Sequence, residues 1–193
     1  MFNHISDIIT EKLIENNTVQ AENKEIYRFG IQQFFTMLLN IITVIIIGIS
    51  LQMLGRAVLF IAVFIPLRIY AGGVHAKTPI RCYLYSVIFI VSVFLVMKHA
   101  NLHMFICCIL YASSGIVVLF LSPVEDKNKI LDKLEISVYK KRTRIIWMTE
   151  SIVALICILL NLKTVFECFT FSSTSLSIIL ILGVLNNKFN KVN

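Results

Sequence analysis

Charged residues are scarce in this sequence. They make up 15% of its 193 residues, whereas hydrophobic residues make up 58%, and the mean hydropathy is +0.83. A soluble domain of this size has too little interior to cover so much apolar surface. The composition therefore excludes a soluble enzyme, a disordered tail and a secreted disulfide scaffold, and it predicts a membrane protein.

The five cysteines follow neither a disulfide pattern nor a metal pattern. Most of them lie in apolar runs, and Cys107 and Cys108 are adjacent, where a disulfide would be strained. The spacing of two closely placed ligand pairs that is typical of a zinc site does not occur. We therefore expect free thiols, no metal and no cofactor.

Six apolar segments are candidates for membrane spans, each of which needs about 20 apolar residues. The second span is shorter than the others, and Gly55-Arg56 is the expected break between the first two. The predicted spans are 31–54, 57–67 or slightly beyond, 83–97, 104–121, 145–162 and 165–185. The predicted fold class is all-α, a single polytopic membrane domain, 1–193, with six transmembrane helices.

The N-terminal segment, 1–28, begins with a stretch that we expect to be an amphipathic helix. Ile5, Ile9 and Leu13 recur every four residues and so share one face. Two arrangements are open: the helix lies at the membrane interface, or it packs on the cytosolic ends of the other helices. A cleavable signal peptide needs an apolar core, and the first turns of this segment carry charged residues instead. We therefore expect no cleavable signal peptide.

The distribution of Lys and Arg predicts the orientation of the chain. Six spans place both termini on one side of the membrane. Of the 18 Lys and Arg residues, those on the other side are Arg56, Lys98 and Lys163. Because basic residues accumulate on cytoplasmic loops, we expect both termini and the segments 68–82 and 123–144 in the cytoplasm. The net charge of +7 is explained by these loops, so nucleic acid is not an expected partner.

The segment 68–82 holds the residues best suited to covalent chemistry. Thr78-Pro79 is typical of a helix start, with Thr as the N-cap and Pro as the first helical residue. Cys82 then lies in the first helical turn. Free backbone amides and the neighbouring Arg81 favour a thiolate at this position. Cys82 is therefore a candidate nucleophile.

His75 is the candidate partner of Cys82. A histidine that accepts the thiol proton increases the fraction of reactive thiolate. On one continuous helix the two residues would be about 10 Å apart along the axis. Gly72 and Gly73 allow the loop to fold His75 back over the helix start instead. The spacing also fits a hydrogen-bonded loop histidine and an inert cysteine, so both interpretations stay open.

The pattern Arg68-x4-Gly73-x-His75-x6-Cys82, between the second and third apolar segments of a short basic chain, resembles the accessory gene regulator B (AgrB) family. These proteins are cysteine endopeptidases (thiol proteases) of the bacterial cell membrane that act in quorum sensing. The resemblance extends over nearly the whole chain. It implies that His75 is the catalytic histidine, Cys82 the nucleophile, and Arg68 and Gly73 further required positions. It also implies an AgrD-like autoinducer propeptide as the substrate.

The resemblance implies a reaction in two steps. The Cys82 thiolate attacks a carbonyl in the C-terminal part of the propeptide, His75 protonates the leaving amine, and a thioester acyl-enzyme forms. A substrate side chain, usually a Cys thiol, then attacks the thioester and closes a thiolactone or lactone ring without ATP. Backbone amides near Gly73 or at the helix start are candidates for holding the oxyanion.

Two further side chains near the predicted site have two interpretations each. Glu150 lies in the fifth span, where it could orient His75 or pair with an arginine such as Arg68. Ser86, one turn after Cys82, could form a hydrogen bond in the site or pack between helices. The full set of candidate supporting residues is Arg68, Gly72, Gly73, Arg81, Glu150 and Ser86. Residues expected on the opposite side, and so excluded from a metal site with the pair, are His99, His103 and Glu167.

The segment 123–144 is rich in basic residues and has an apolar stripe. A surface helix held against anionic lipid is a sufficient explanation. Alternatively, the segment captures the acidic part of the propeptide that the resemblance implies. The candidate substrate-binding residues are Lys127, Lys129, Lys133, Lys140, Lys141, Arg142 and Arg144.

Two other classes of function stay open. One is a small transporter or peptide exporter that uses no covalent step, and the other is a purely structural subunit. The sequence identifies neither the propeptide nor the size of the ring. It also leaves open whether the chain forms a homodimer.

Overall fold

The computed structural model describes residues 3–16, 18–74, 79–100, 102–125 and 131–192. These residues form seven α-helices, a short 3-10 helix (Ala21–Asn23) and no β-strand. The α-helices are α1 (Asn3–Glu15), α2 (Lys24–Ser50), α3 (Leu54–Ala71), α4 (Pro79–His99), α5 (Met104–Leu121), α6 (Lys133–Leu159) and α7 (Lys163–Val192). The predicted all-α class is confirmed.

Five of these helices are long and apolar enough to cross a membrane: α2, α3, α4, α5 and α7. The described part of the chain therefore fits a multi-pass membrane protein. The fifth predicted span, 145–162, lies mostly on α6. Its apolar part is short because Arg142 and Arg144 precede it and Glu150 interrupts it. A sixth span on α6 stays a prediction.

The break between the first two predicted spans lies earlier than expected. The helix α2 ends at Ser50, and residues 51–53 form the turn. Gln52 adopts a left-handed backbone conformation there, with φ of 60°. Gly55 and Arg56, the expected break, lie in the first turn of α3 instead. A glycine is the usual residue for a left-handed turn position, and here a glutamine occupies it, which is why the prediction was wrong.

The helix α3 is longer than the predicted second span. It continues past Leu67 through Arg68 to Ala71. The Arg68 guanidinium donates hydrogen bonds to carbonyls beyond the helix end, those of Gly72 and Val74. A cation at a helix C-terminus is favourable because it faces the negative end of the helix dipole. Arg68 thus belongs to the last turn of a helix, and the prediction of a loop position was wrong.

The described basic residues and the fifth predicted span form one helix. The helix α6 begins at Lys133, and the backbone N–H of Asp132 donates to the Glu135 carboxylate at 3.1 Å. Residues 133–159 contain no Gly or Pro, so the helix continues past Arg144 into its apolar part. The structure therefore differs from the expected separate surface helix over these residues.

The helix α1 packs along the start of α2. The Asp7 carboxylate pairs with Arg28 at 2.7 Å, and the Glu11 carboxylate pairs with Lys24 at 3.1 Å. The structure thus shows α1 against another helix, which is one of the two expected arrangements. Its location at a membrane interface stays a prediction. Apolar side chains left exposed on α1 are Ile5 and Ile8.

The helix α7 is the most enclosed of the candidate spans. In its apolar window 56% of the residues are buried, against 28% or less in the other four. It contributes to all three clusters of buried apolar residues, through Cys168, Leu176 and Phe166 respectively. The helices α3, α4, α5 and α6 therefore pack against α7, whereas α2 packs on α3 and α4 and α1 packs on α2. None of the five cysteines is in a disulfide.

Contacts between distant residues show which helix ends lie together. Arg56, near the start of α3, donates to the carbonyl of Met97, near the end of α4, at 3.3 Å. Asn187, near the end of α7, donates to the carbonyl of Glu125, just after α5, at 2.7 Å. We call the end of the bundle where α3, α5 and α7 finish and α4 and α6 begin the Cys82 end.

Gly115→Ala is expected to lower the stability of the folded protein. A Cβ at this position of α5 would overlap the Trp147 indole of α6, with Cε2 at 2.9 Å, and Trp147 is fixed by stacking on Tyr111 at 4.8 Å. Overpacking of this kind costs about 1–3 kcal/mol. The measurement is the midpoint of thermal unfolding in detergent.

Gly55→Ala is the matched control, because nothing lies within 4 Å of a Cβ there. Its midpoint should stay at or slightly above that of the unmodified protein. Equal midpoints for the two variants would contradict the described packing of α5 on α6.

Candidate active site

The chain that leads from α3 into the predicted catalytic segment is held by backbone pairing. Residues 72–74 run beside the chain that follows α5, and Gly72 and Val124 form an isolated parallel bridge. The Val124 N–H donates to the Ala71 carbonyl at 2.9 Å, and the Gly73 N–H donates to the Val124 carbonyl at 3.3 Å. The two segments therefore leave the helix bundle together, at the Cys82 end.

Gly72 and Gly73 are required by this pairing. Both have positive φ, 73° and 129°, which residues with a side chain rarely adopt. A Cβ on Gly72 would overlap the Val124 carbonyl oxygen, and a Cβ on Gly73 would lie 2.7 Å from Cγ2 of Ile179 in α7. The structure thus gives a physical reason for the presence of both glycines.

Arg68 holds the same segment from the side of α3. Its guanidinium donates to the Gly72 carbonyl, and its Nη2 donates to the Val74 carbonyl at 3.1 Å. A charged donor on a backbone carbonyl forms a stronger hydrogen bond than a neutral one. Within the described residues no ion pair joins Arg68 to Glu150, so that interpretation of Glu150 is not supported.

Cys82 lies in the first turn of α4, because α4 begins at Pro79 as the sequence predicts. Its sulfur is not in a disulfide, and the residue is partly exposed. Arg81, the residue before it, is exposed. The backbone N–H groups of a first helical turn have no carbonyl partner within the helix. Cys82 is thus an accessible sulfur beside backbone donors at a helix start.

His75 lies outside the described residues, as do Lys127 and Lys129. The distance between His75 and Cys82 therefore stays untested. The last described residue before His75 is Val74, which Arg68 holds, and the first described residue after it is Pro79 at the start of α4. These two described residues lie at the same end of the bundle as the predicted nucleophile.

Ser86 and Glu150 differ in their surroundings. The Ser86 hydroxyl donates to the Cys82 carbonyl at 2.9 Å, a bond within α4 that fits a role in the helix. The Oε2 atom of Glu150 is buried and has no hydrogen-bond partner among the described residues. The neighbouring Ser151 shares a hydrogen bond with the Tyr111 hydroxyl at 3.2 Å. An orienting role for Glu150 toward His75 stays a prediction.

Arg142 has a structural role in addition to its predicted role in substrate binding. Its guanidinium donates to the Tyr70 hydroxyl at 2.9 Å and lies 5.2 Å from the centre of the Tyr70 ring. Tyr139 packs edge-on against the same ring, with centroids 5.8 Å apart. These contacts fix the start of α6 to the end of α3. The other described basic residues of this segment are exposed: Lys133, Lys140, Lys141 and Arg144.

Residues predicted on the opposite side of the membrane lie at the other end of the bundle. Glu167 is buried and pairs with Lys163 at the start of α7, at 3.7 Å. The Nδ1 atom of His103 accepts a hydrogen bond from the Phe105 N–H at 3.4 Å and caps α5. His99 ends α4. No group of three or more potential metal ligands occurs among the described residues.

Three residues that hold the Cys82 end together were missed by the sequence analysis: Val124, Gly183 and Asn187. Val124 pairs with residues 71–73, and Asn187 donates a hydrogen bond to the carbonyl of Glu125, the residue after Val124. Gly183 carried a signal that could have been used, because a glycine inside an apolar span is typical of a close approach by another segment. The other two carried none.

The chain matches the model of the family described as Accessory gene regulator B over residues 6–182. It is 28% identical over 136 residues to a protein of Clostridium perfringens (strain 13 / Type A) that carries the provisional name AgrB-like protein 2. It is 27% identical over 136 residues to another from the same species (strain SM101 / Type A), provisionally named AgrB-like protein.

Both alignments cover 67% of this chain and 64% of the relative. The chain thus spans slightly less than two thirds of the length of the curated relatives it matches. No solved structure matches the chain. The matched range includes the residues of the Cys82 end up to residue 182, among them Arg68, Gly72, Val124 and the start of α4, and it also includes Glu150. The chain therefore belongs to the accessory gene regulator B family.

Proposed function

We propose that the protein is a membrane cysteine endopeptidase that cleaves an AgrD-like autoinducer propeptide. Cys82 is the nucleophile and His75 is the acid and base. The observation that carries the proposal is the placement of Cys82. It is a partly exposed cysteine outside any disulfide, in the first turn of α4, at the end of the bundle where Arg68 holds the chain that leads to His75. Membership of a family of peptide-processing proteins supports it.

The first step forms the acyl-enzyme. The Cys82 thiolate attacks a carbonyl carbon in the C-terminal part of the propeptide, and the carbonyl oxygen becomes an oxyanion. Proline has no N–H, so the first backbone donors at the start of α4 are the N–H groups of Ile80 and Arg81. These amides are the candidates to stabilise the oxyanion. His75 gives a proton to the leaving amine as the C–N bond breaks, and the acyl group stays on sulfur as a thioester.

The second step releases the product by ring closure. A thiol of the substrate attacks the thioester carbon and forms a new C–S bond while the bond to Cys82 breaks. His75 accepts the proton of the attacking thiol, and the Cys82 thiolate is restored. One thioester replaces another, so the ring closes to a thiolactone without an external energy source. A hydroxyl in place of the thiol gives a lactone.

The exposed basic residues of α6 are proposed to bind the acidic part of the propeptide. Arg142 and Tyr70 fix the start of α6 to the end of α3, so the basic surface has a set position relative to the Cys82 end. Complementary charge attracts the substrate and sets its register. The basic surface also suits anionic lipid headgroups, and one surface can serve both purposes.

The proposed orientation places the Cys82 end in the cytoplasm of a bacterial cell, with the helices crossing the cell membrane. The excess of Lys and Arg in the segments at this end supports it. The propeptide then meets Cys82 on the side of the membrane where it is made. Its acidic part lies along α6, and its scissile bond reaches the start of α4.

Cys82→Ser and His75→Ala are each expected to abolish propeptide cleavage. The first variant replaces a thiolate by a poorly nucleophilic hydroxyl. The second removes the proton transfer, which contributes about 10²–10⁴-fold to such reactions. The measurement is mass spectrometry of a tagged propeptide co-expressed with each variant, at matched levels of membrane protein.

Cys108→Ala is the matched control, because Cys108 is also a partly exposed cysteine outside any disulfide but lies near the start of α5, away from the Cys82 end. It should cleave at the normal rate. Normal cleavage by Cys82→Ser would favour a transporter without a covalent step, and normal cleavage by both Cys82→Ser and His75→Ala would favour a structural subunit.

Replacing three exposed cations of α6 together, Lys140→Gln, Lys141→Gln and Arg144→Gln, is expected to raise KM for the propeptide about tenfold and to leave kcat nearly unchanged. These side chains attract the substrate and do not touch the reacting atoms. The measurement is cleavage by purified protein in detergent over a range of propeptide and salt concentrations. Higher salt should weaken binding to the unmodified protein more than to the variant.

The control is Lys12→Gln with Lys188→Gln, two exposed cations outside α6. A KM that stays constant in the triple variant would show that these cations of α6 do not bind the substrate. It would favour binding of anionic lipid as the role of the basic surface.

A further inference from the structure

We propose that Gly183 of α7 is a positioning residue for the cleavage reaction. The absence of a side chain at this point lets the segment that leads to His75 lie directly against the α7 backbone. This inference rests on the proposed function, because it concerns the geometry between His75 and Cys82. It assigns a role in catalysis to a residue of the last helix, far from both in sequence.

The distances around Gly183 show how close the approach is. A Cβ on Gly183 would lie 3.0 Å from the backbone N of Val74, 3.1 Å from the carbonyl carbon of Gly73 and 2.9 Å from Cγ1 of Val124. Carbon atoms in good contact are about 3.5–4.0 Å apart. Two of the three neighbours are backbone atoms of the residues just before His75. Any side chain at position 183 therefore pushes this backbone away from α7.

The displaced backbone is held from the other sides and cannot absorb the shift locally. Arg68 donates to the carbonyls of Gly72 and Val74. The Gly73 N–H donates to the carbonyl of Val124, whose side chain is itself buried in the core. The shift is therefore passed along the chain, and the next residue is His75.

A second contact from α7 fixes the same region one helical turn further on. Asn187 lies four residues after Gly183 and hence on the same face of α7. It donates to the carbonyl of Glu125 at 2.7 Å. Gly183 and Asn187, one helical turn apart, thus hold the two paired segments, 72–74 and 124–125, against the same face of α7.

Gly183 differs from the other closely packed glycines within helices, Gly48 and Gly115, in the part of the chain that it contacts. A Cβ on Gly48 would meet Cβ of Ala57, and a Cβ on Gly115 would overlap the ring of Trp147. Those contacts join one helix to another, which is the common use of glycine in membrane helices. The neighbours of Gly183 belong to the segment that positions the catalytic histidine. A substitution at 183 should therefore impair chemistry more than the stability loss alone explains.

The size of the expected effect follows from the geometry of proton transfer. A misplacement of about 1 Å in a reacting group can cost about 10²-fold in rate. The two backbone contacts require a shift of a few tenths of an ångström, so Gly183→Ala should slow propeptide cleavage by up to about tenfold. It should also change the way in which the reactivity of Cys82 depends on pH, because His75 no longer shares the thiol proton.

The test compares full-length variants in detergent by three measurements: the rate of propeptide cleavage, the midpoint of thermal unfolding, and alkylation of Cys82 by iodoacetamide as a function of pH, followed by mass spectrometry. Gly30→Ala is one control, since nothing lies within 4 Å of a Cβ there. Gly48→Ala is the other. Its Cβ would lie 2.5 Å from Cβ of Ala57, so it destabilises the α2–α3 packing at the opposite end of the bundle.

The expected result is that Gly183→Ala shifts the alkylation profile toward that of His75→Ala, whereas Gly30→Ala and Gly48→Ala keep the profile of the unmodified protein. Unchanged cleavage and an unchanged profile in folded Gly183→Ala would overturn the inference. So would a loss of cleavage that only matches the loss of thermal stability seen in Gly48→Ala. If Gly183→Ala does not fold, Asn187→Ala replaces it in the test. Its alkylation profile should shift in the same direction by a smaller amount. An unchanged profile in Asn187→Ala would overturn the inference.

The proposed function fails separately. If His75→Ala has the same alkylation profile as the unmodified protein and also cleaves the propeptide, the pairing of His75 with Cys82 is wrong whatever Gly183 does. If His75→Ala behaves as proposed and Gly183→Ala behaves like the unmodified protein, the peptidase proposal stands and the role of Gly183 is removed.

Discussion

The structure at the Cys82 end depends on the fixation of three residues of irregular backbone, 72–74, on three sides. Arg68 binds their carbonyls from α3, the chain around Val124 pairs with them from α5, and α7 contacts them at Gly183. Irregular backbone is costly in a membrane protein unless its polar groups have partners. Here the partners are an arginine and a second irregular segment, and together they place the chain just before His75.

This arrangement explains why the helices have the lengths and ends that they do. The helix α3 extends to Ala71 so that Arg68, one turn earlier, can reach past its end. The helix α7 continues beyond its apolar part so that Asn187 can reach the chain after α5. Arg142 and Tyr70 bring the basic start of α6 to the same place. The chain before the candidate histidine and the candidate substrate-binding surface are thus supported by one set of contacts.

Much of this was predictable from local sequence, and the rest was not for a definite reason. Pro79 correctly predicted the first described residue of α4, because helix starts depend on nearby residues, whereas Thr78, the predicted N-cap, lies outside the described residues. The span 104–121 matched α5 at both ends, since polar residues and a proline flank it. Arg68 was assigned to a loop because a charge usually ends an apolar span, yet here it finds acceptors beyond the helix end. Contacts of Val124, Gly183 and Asn187 join segments far apart in sequence, and no local pattern indicates which segments meet.

The most direct test of the account is the covalent intermediate on Cys82. The purified protein is incubated with a propeptide whose ring-closing Cys is replaced by Ala, so that the thioester cannot be resolved by cyclisation, and its intact mass is then measured. The account predicts an adduct on Cys82 with the mass of the propeptide minus its C-terminal fragment, and the loss of that adduct in hydroxylamine. Release of the C-terminal fragment without any adduct on Cys82, or with an adduct on another residue, would contradict it.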